Sequence, residues 1–150
     1  MDMTSPEMTE ILEAILIKDD PARRRARLLE LWAELLPAGR TLQLCALGHV
    51  LADTEADVAD ELEWDLRALE AATGSREAED RGPLPPVPES YLPSLHLSVG
   101  EGYRKLGDLW RAQQHLLLAT NHVSALPDDA YGNMVKGGLK RLRGALAVNP

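Results

Sequence analysis

The stretch LSVGEGYRKLGDLWRAQQHLLLA, from Leu97 to Ala119, decides the fold that this sequence predicts. Its apolar residues recur at helical spacing, and Gly107 interrupts the pattern at a place where glycine can end a helix. Gly100 and Ala112 carry little side-chain bulk, so the two helices can approach closely while Tyr103 fills the space between them. The stretch therefore predicts two helices packed as a tight antiparallel hairpin.

The rest of the chain favours helix as well. Leu, Ala, Glu and Arg dominate, Phe is absent and β-branched residues are few, which favours helix over strand. Helix starts are predicted at Ser5, Asp20 and Asp57, where a capping side chain precedes a helical pattern, and a helix end is predicted at Gly74. At most seven helices are predicted, in N-terminal hairpins over about 5–73, with a first helix ending near Lys18, and in later segments over about 93–106, 108–125 and 128–147.

A proline-rich connection over about 75–93 separates the N-terminal hairpins from the later helices. Its five prolines exclude a continuous helix and predict an extended segment. A chain of 150 residues is the size of one ordinary domain. The sequence therefore predicts a single all-α domain over residues 1–150, built from antiparallel helical hairpins as a short α-solenoid or bundle.

Two adjacent glycines, Gly137 and Gly138, lie inside the last predicted helix. Each destabilises a helix by roughly 1 kcal/mol relative to alanine. Close approach of a neighbouring helix would offset that loss, so we expect tight packing on residues 112–125 or on a second copy of the chain.

The opening stretch resembles the tetratricopeptide repeat, a helix-turn-helix unit of about 34 residues. The resemblance is specific over about residues 93–126, while residues 41–72 have the length and hairpin pattern but match only loosely. Since such units bury their faces only by stacking, the flanking helices are expected to act as degenerate repeats or caps. Several segments also look like helical-repeat proteins of high-GC bacteria. Six residues fall in register with the repeat: Gly100, Tyr103, Gly107, Ala112, Leu116 and Ala119.

The resemblance implies a scaffold that binds a protein or peptide, with no catalytic activity and no cofactor. In this family the first helix of each unit lines the binding groove. The positions at which the family holds a terminal carboxylate with Lys and Asn are Leu97 and Glu101 here, which do not fit such a clamp. Several of the partner-binding candidates are basic, and the alternative is that these residues are ordinary charges exposed to solvent. The partner-binding candidates are Leu97, Glu101, Arg104, Lys105, Trp110, Lys136 and Lys140.

A metal site is an alternative from another class of function. His49 and Asp53 are four residues apart, as are Glu61 and Asp65, so each pair shares a helix face that a hairpin could bring together. Such a cluster would suit a small metal-dependent hydrolase. The spacing matches no named metal motif, however, and an acid-rich helix start at Asp57 accounts for the same residues.

A homodimer is a further alternative, in which the proline-rich residues 82–93 fill the groove of a second copy. The net charge of −8 argues against general binding to nucleic acid or to an anionic membrane. An acidic, polar start and the lack of a long apolar run predict a cytoplasmic protein. Cys45 lies among apolar residues and is predicted to be a buried, unreactive thiol.

Overall fold

The computed structural model describes residues 6–148, and within them the regular structure is helical, without strands. Two short 3-10 turns, Glu89–Tyr91 and Val123–Ala125, accompany the α-helices. The predicted all-α class is therefore confirmed, whereas Ser5 lies outside the described residues. The seven α-helices of the described part are α1 (Pro6–Ile15), α2 (Pro21–Leu35), α3 (Thr41–Asp53), α4 (Val58–Thr73), α5 (Leu92–Lys105), α6 (Leu109–Asn121) and α7 (Ala130–Val148).

The predicted helix ends are confirmed where a capping residue marks them. Asp20 accepts a hydrogen bond from the backbone N–H of Arg23 at 3.0 Å, and Asp57 accepts one from that of Ala59 at 2.8 Å. Gly74 ends α4 in the left-handed conformation, with a φ of 79°. Helix α1 ends at Ile15, earlier than predicted, because the extended cap at Asp20 requires a turn before it.

The helices form a stack in which consecutive helices pack as pairs. Contacts also join α1 to α3 and α5 to α7, so the two helices of each of these pairs lie side by side. Leu31 belongs to an N-terminal part of the core, Leu69 and Val99 to a middle part, and Leu142 to a C-terminal part. Tyr103 packs against both the middle and the C-terminal part, so these two parts of the core meet at α5.

The close approach predicted for the α5–α6 hairpin is present. A Cβ atom at Gly100 would lie 3.4 Å from the carbonyl oxygen of Ala112 and 3.1 Å from Leu142 Cδ2. The half-buried Tyr103 ring stacks on His115 of α6, with ring centroids 5.7 Å apart. Gly107 turns the chain between the two helices with a φ of 84°. Small residues and one tyrosine therefore set the distance between α5 and α6.

The proline-rich connection packs on the stack of its own chain. Val87 is buried in the middle part of the core, and the backbone N–H of Leu84 donates to the carbonyl oxygen of Ala72. His122, at the end of α6, contacts a carboxylate at each end of this connection, Glu89 at 2.8 Å and Asp80 at 3.2 Å. These contacts hold the connection beside α4 and α6.

Within the chain, the close neighbour of the glycine pair of α7 is not residues 112–125, and packing on a second copy stays a prediction. A Cβ atom at Gly138 would lie 2.6 Å from Leu97 Cδ2, so the close contact is with α5 rather than with residues 112–125. At Gly137 the nearest atom is Arg141 Nη1, at 3.4 Å. The glycines therefore make room for one leucine of α5 and for one arginine of α7 itself.

Gly132, in the first turns of α7, gives a stability prediction. A Cβ atom there would lie 1.8 Å from the carbonyl oxygen of Pro127, whereas one at Gly144 would meet nothing within 4 Å. We expect Gly132→Ala to lower the free energy of unfolding by about 1–3 kcal/mol, because the backbone must shift. Gly144→Ala, the matched control, should raise it by up to about 1 kcal/mol. Urea denaturation of both variants measures this, and equal effects would contradict the packing at Pro127.

Candidate functional site

A cleft of about 560 Å³ opens between four helices, and we call it the charged cleft. Helices α3, α4, α5 and α7 all contribute to its lining, and most of the lining side chains are charged or polar. Its volume is in the range of sites that hold a ligand group. The lining residues are His49, Asp53, Glu61, Asp65, Leu97, Ser98, Glu101, Arg104, Gly138, Arg141 and Ala145.

Several charges in and around the charged cleft are already paired. Arg104 Nε donates to Glu101 Oε1 at 3.1 Å, and Lys105 Nζ lies 3.6 Å from Glu61 Oε1. Both pairs are partly exposed, so each contributes little stability. Their effect on the cleft is to neutralise two cations of α5.

Asp65, on α4, is the one lining residue that is buried, with 5% of its surface exposed. Within residues 6–148 its carboxyl group has no hydrogen-bond donor and no ion-pair partner. Burial, and then the charges of Glu61 and Asp53, raise the pKa of Asp65 to about 7, which Lys105 only partly opposes. The bottom of the cleft therefore holds a carboxyl group whose charged form lacks a partner.

Arg141 lines the cleft from α7. Its guanidinium group lies over the glycine pair, with Nη1 3.4 Å from the position of a Cβ atom at Gly137 and Nη2 3.7 Å from one at Gly138. A side chain at either glycine would crowd this position. The charges that act on the Asp65 carboxyl are those of Glu61, Asp53 and Lys105, so Arg141 is not its counter-ion.

A second hollow, of about 470 Å³, adjoins the charged cleft, and we call it the apolar hollow. His49 lines both, so the two hollows share a wall at α3, and we call the two together the groove. Two large apolar side chains of α7 at its edge are exposed, Tyr131 by 36% and Met134 by 63%. The apolar hollow is lined by Cys45, Ala46, His49, Tyr91, Ser94, Leu95, Tyr131 and Met134.

Cys45 faces the apolar hollow without being reactive. It is 3% exposed, its thiol donates to the carbonyl oxygen of Ala68 at 3.5 Å, and burial raises its pKa to about 12. A thiol with this pKa stays protonated at neutral pH and is a poor nucleophile. The predicted burial of Cys45 is therefore confirmed.

A buried histidine pair lies between α5 and α6, apart from the groove. His96 Nδ1 and His115 Nδ1 are 3.0 Å apart, and the two residues are 3% and 1% exposed. One ring must donate and the other accept, and because the pKa of each residue is lowered well below 6.5 the pair is neutral at pH 7, with complementary tautomers. Burial lowers the pKa of both residues, and the neighbouring His115 lowers that of His96 further.

The four residues of the metal alternative lie together in the charged cleft, as the hairpin argument expected. In the part of the chain that the structure describes, no three His, Cys, Asp or Glu side chains are grouped so that they could hold a metal ion. The residues in question are His49, Asp53, Glu61 and Asp65.

The partner-binding candidates are divided between different surfaces. Leu97, Glu101 and Arg104 line the charged cleft, and Lys105 is paired beside it. Trp110, 69% exposed, lies instead beside Tyr103 and Arg111 on a smaller hollow. The remaining two candidates, Lys136 and Lys140, are exposed on α7 and are not part of the cleft lining.

Sequence reasoning missed several groove residues. Ser98 and Arg141 in the charged cleft, and Tyr131 and Met134 at the apolar hollow, were not candidates. For the residues on α7, the available signal was the glycine pair, since it marks the face that packs on α5. No comparable signal pointed to Ser98.

The fold and this groove define an all-helical protein of stacked hairpins. Comparison of the chain with protein-family models, curated proteins and solved structures gave no match. Across residues 6–148, no helix has both the length and the apolar character needed to cross a membrane.

Proposed function

We propose that this chain is a protein-interaction module of the tetratricopeptide-like type, and that its groove binds a segment of another protein in the cytoplasm. The observation that carries the proposal is that three alternate helices, α3, α5 and α7, line both hollows, while α4 adds Glu61 and Asp65 to the charged cleft. A stack of hairpins places the first helix of each hairpin on the same side, which is how such repeats build a binding surface. The role proposed is binding, without a catalytic step.

The packing of the α5–α6 hairpin supports the same class. The contacts at Gly100 and the stacking of Tyr103 on His115 are those expected of a repeat unit whose helices approach closely. The exposed Tyr131 and Met134 add apolar surface at the edge of the groove, where a partner would bury it. The hairpin packing favours the repeat class, and the exposed apolar side chains favour a binding surface over a solvated one.

Selection from a phage-displayed library of random 12-residue peptides tests this proposal. We expect the wild-type protein to enrich a family of related peptides, and Met134→Glu to lose that enrichment because it places a charge at the apolar hollow. Leu117→Glu is the matched control, since Leu117 is 56% exposed on α6 and outside the groove lining. Enrichment that Met134→Glu leaves intact, or no enrichment by the wild type, would contradict the proposed groove.

A further inference from the structure

We infer that the segment bound in the groove places a lysine or arginine side chain in the charged cleft, beside Asp65, and apolar side chains in the adjoining hollow. This inference rests on the proposed function and specifies the chemistry of the partner. It concerns a basic and apolar protein segment, rather than a terminal carboxylate.

The first argument is the state of Asp65. Its side chain lines the cleft, is 5% exposed, and receives no hydrogen bond from any residue in the described range 6–148. A buried carboxylate without a donor is unfavourable, and an ammonium or guanidinium group would supply both the missing donors and the opposite charge. A cation on the ligand therefore completes a site that the chain leaves incomplete.

The second argument is the balance of charge around that carboxyl group. Glu61 and Asp53 add negative charge beside Asp65, and Lys105 is the cation of the chain that acts on it. Lys105 is already paired with Glu61, as Arg104 is with Glu101. With Glu61 and Glu101 neutralised by these pairs, Asp53 and the ionised Asp65 remain against Arg141 in the cleft lining, an excess of one negative charge that favours a cation over a carboxylate.

The third argument is the continuity of the groove. Since His49 lines both the charged cleft and the apolar hollow, one extended or helical segment can reach both. Leu95, Tyr131 and Met134 offer apolar contacts in the hollow. A small free amine would leave that hollow empty, so the two halves together fit a protein segment with a basic residue and apolar neighbours.

The test compares the composition of peptides selected from a random 12-residue phage library by three proteins: the wild type, Asp65→Asn and Asp60→Asn. Asp60 is the matched control because it is an exposed carboxylate on the same helix, outside the groove lining. We expect Lys or Arg to be enriched at one peptide position by the wild type and by Asp60→Asn, and this preference to be lost with Asp65→Asn. The preference for apolar residues should remain in all three.

A second measurement isolates the contact itself. The most enriched peptide and its lysine-to-norleucine analogue are titrated against wild type and Asp65→Asn by fluorescence anisotropy. We expect removal of the peptide charge to weaken binding to the wild type by about 10-fold or more, and binding to Asp65→Asn by much less. If arginine is the enriched residue, citrulline replaces norleucine as its uncharged counterpart.

The outcomes separate this inference from the proposed function. Selected peptides without a preferred cation, or a cation preference that survives Asp65→Asn, would overturn the inference and leave the binding groove standing. No enrichment by the wild type would overturn both. Circular dichroism of each variant shows that a lost preference does not come from a lost fold.

Discussion

Replacement of Asp65 by asparagine is expected to raise the free energy of unfolding by about 2–4 kcal/mol at pH 8, since one pKa unit corresponds to about 1.4 kcal/mol. Asp65 is 5% exposed, and burial together with Glu61 and Asp53 raises its pKa to about 7. Asparagine has nearly the same shape and no charge, so it removes the penalty for ionising a buried group. Urea denaturation followed by tryptophan fluorescence measures the difference.

The sign of the pH dependence follows from proton binding. Between the unfolded pKa, near 3.9, and the folded pKa of about 7, the folded chain keeps a proton on Asp65 that the unfolded chain has released. Wild-type stability therefore falls as the pH rises through this window. The advantage of Asp65→Asn should be absent near pH 4 and complete above pH 7.

Asp60→Asn serves as the control here too, because it removes an exposed carboxylate from the first turn of α4. Its effect should be a loss of about 1 kcal/mol or less, through the helix dipole. If Asp65→Asn is no more stable than the wild type at pH 8, the description of Asp65 as a buried, unpartnered acid is wrong. A gain in stability would mean that Asp65 is present at the expense of stability, as is common for residues of a binding site.

The fold could be predicted largely from local signals. Asp20, Asp57 and Gly74 mark helix ends through their own hydrogen bonds or backbone conformation, so a short window of sequence suffices to place them. The approach of α5 to α6 was also predictable, because Gly100 leaves a gap that only a close neighbour fills. The helix that lies next to Gly138 could not be predicted, because a missing side chain does not show which neighbouring helix occupies the space.

The candidate site was predictable only in part. Pairs four residues apart, such as His49 with Asp53, share a face, so their presence in one cleft followed from a hairpin. The sequence does not show that Asp65 is buried while His49 and Asp53 are exposed, because burial depends on how α3 and α5 pack on α4. The contact between His96 and His115 depends in the same way on the rotation of α5 against α6.

This histidine pair is expected to make the protein sensitive to acid. Burial lowers the pKa of His96 to about 3 and that of His115 to about 4, with His115 also acting on His96. The unfolded chain binds protons on both residues below a pKa near 6.5, while the folded chain does not, so stability is lost as the pH falls through this window. Asp65 acts in the opposite direction over part of the same range, and its removal should therefore expose the full effect of the pair.

In the Asp65→Asn variant, a change from pH 6.5 to 4.5 is expected to lower the free energy of unfolding by about 4 kcal/mol. Each of two protons contributes at most about 1.4 kcal/mol per pH unit, and the total is below that limit because the unfolded histidines are already half-protonated at pH 6.5. The wild type should lose about half as much, since Asp65 opposes one of the two protons. The measurements stay above pH 4.5 because most carboxylates titrate at lower pH. Glu63 is an example, since its hydrogen bond with Arg76 is the main cause that lowers its pKa.

The double substitution His96→Leu with His115→Leu, made in the same background, should flatten this pH dependence, because both members of the pair are then apolar. His115→Leu alone should destabilise the protein by about 1–3 kcal/mol at neutral pH, since it leaves His96 buried without its partner. A double variant that retains the slope of its parent would show that the acid sensitivity arises elsewhere than in the contact between α5 and α6.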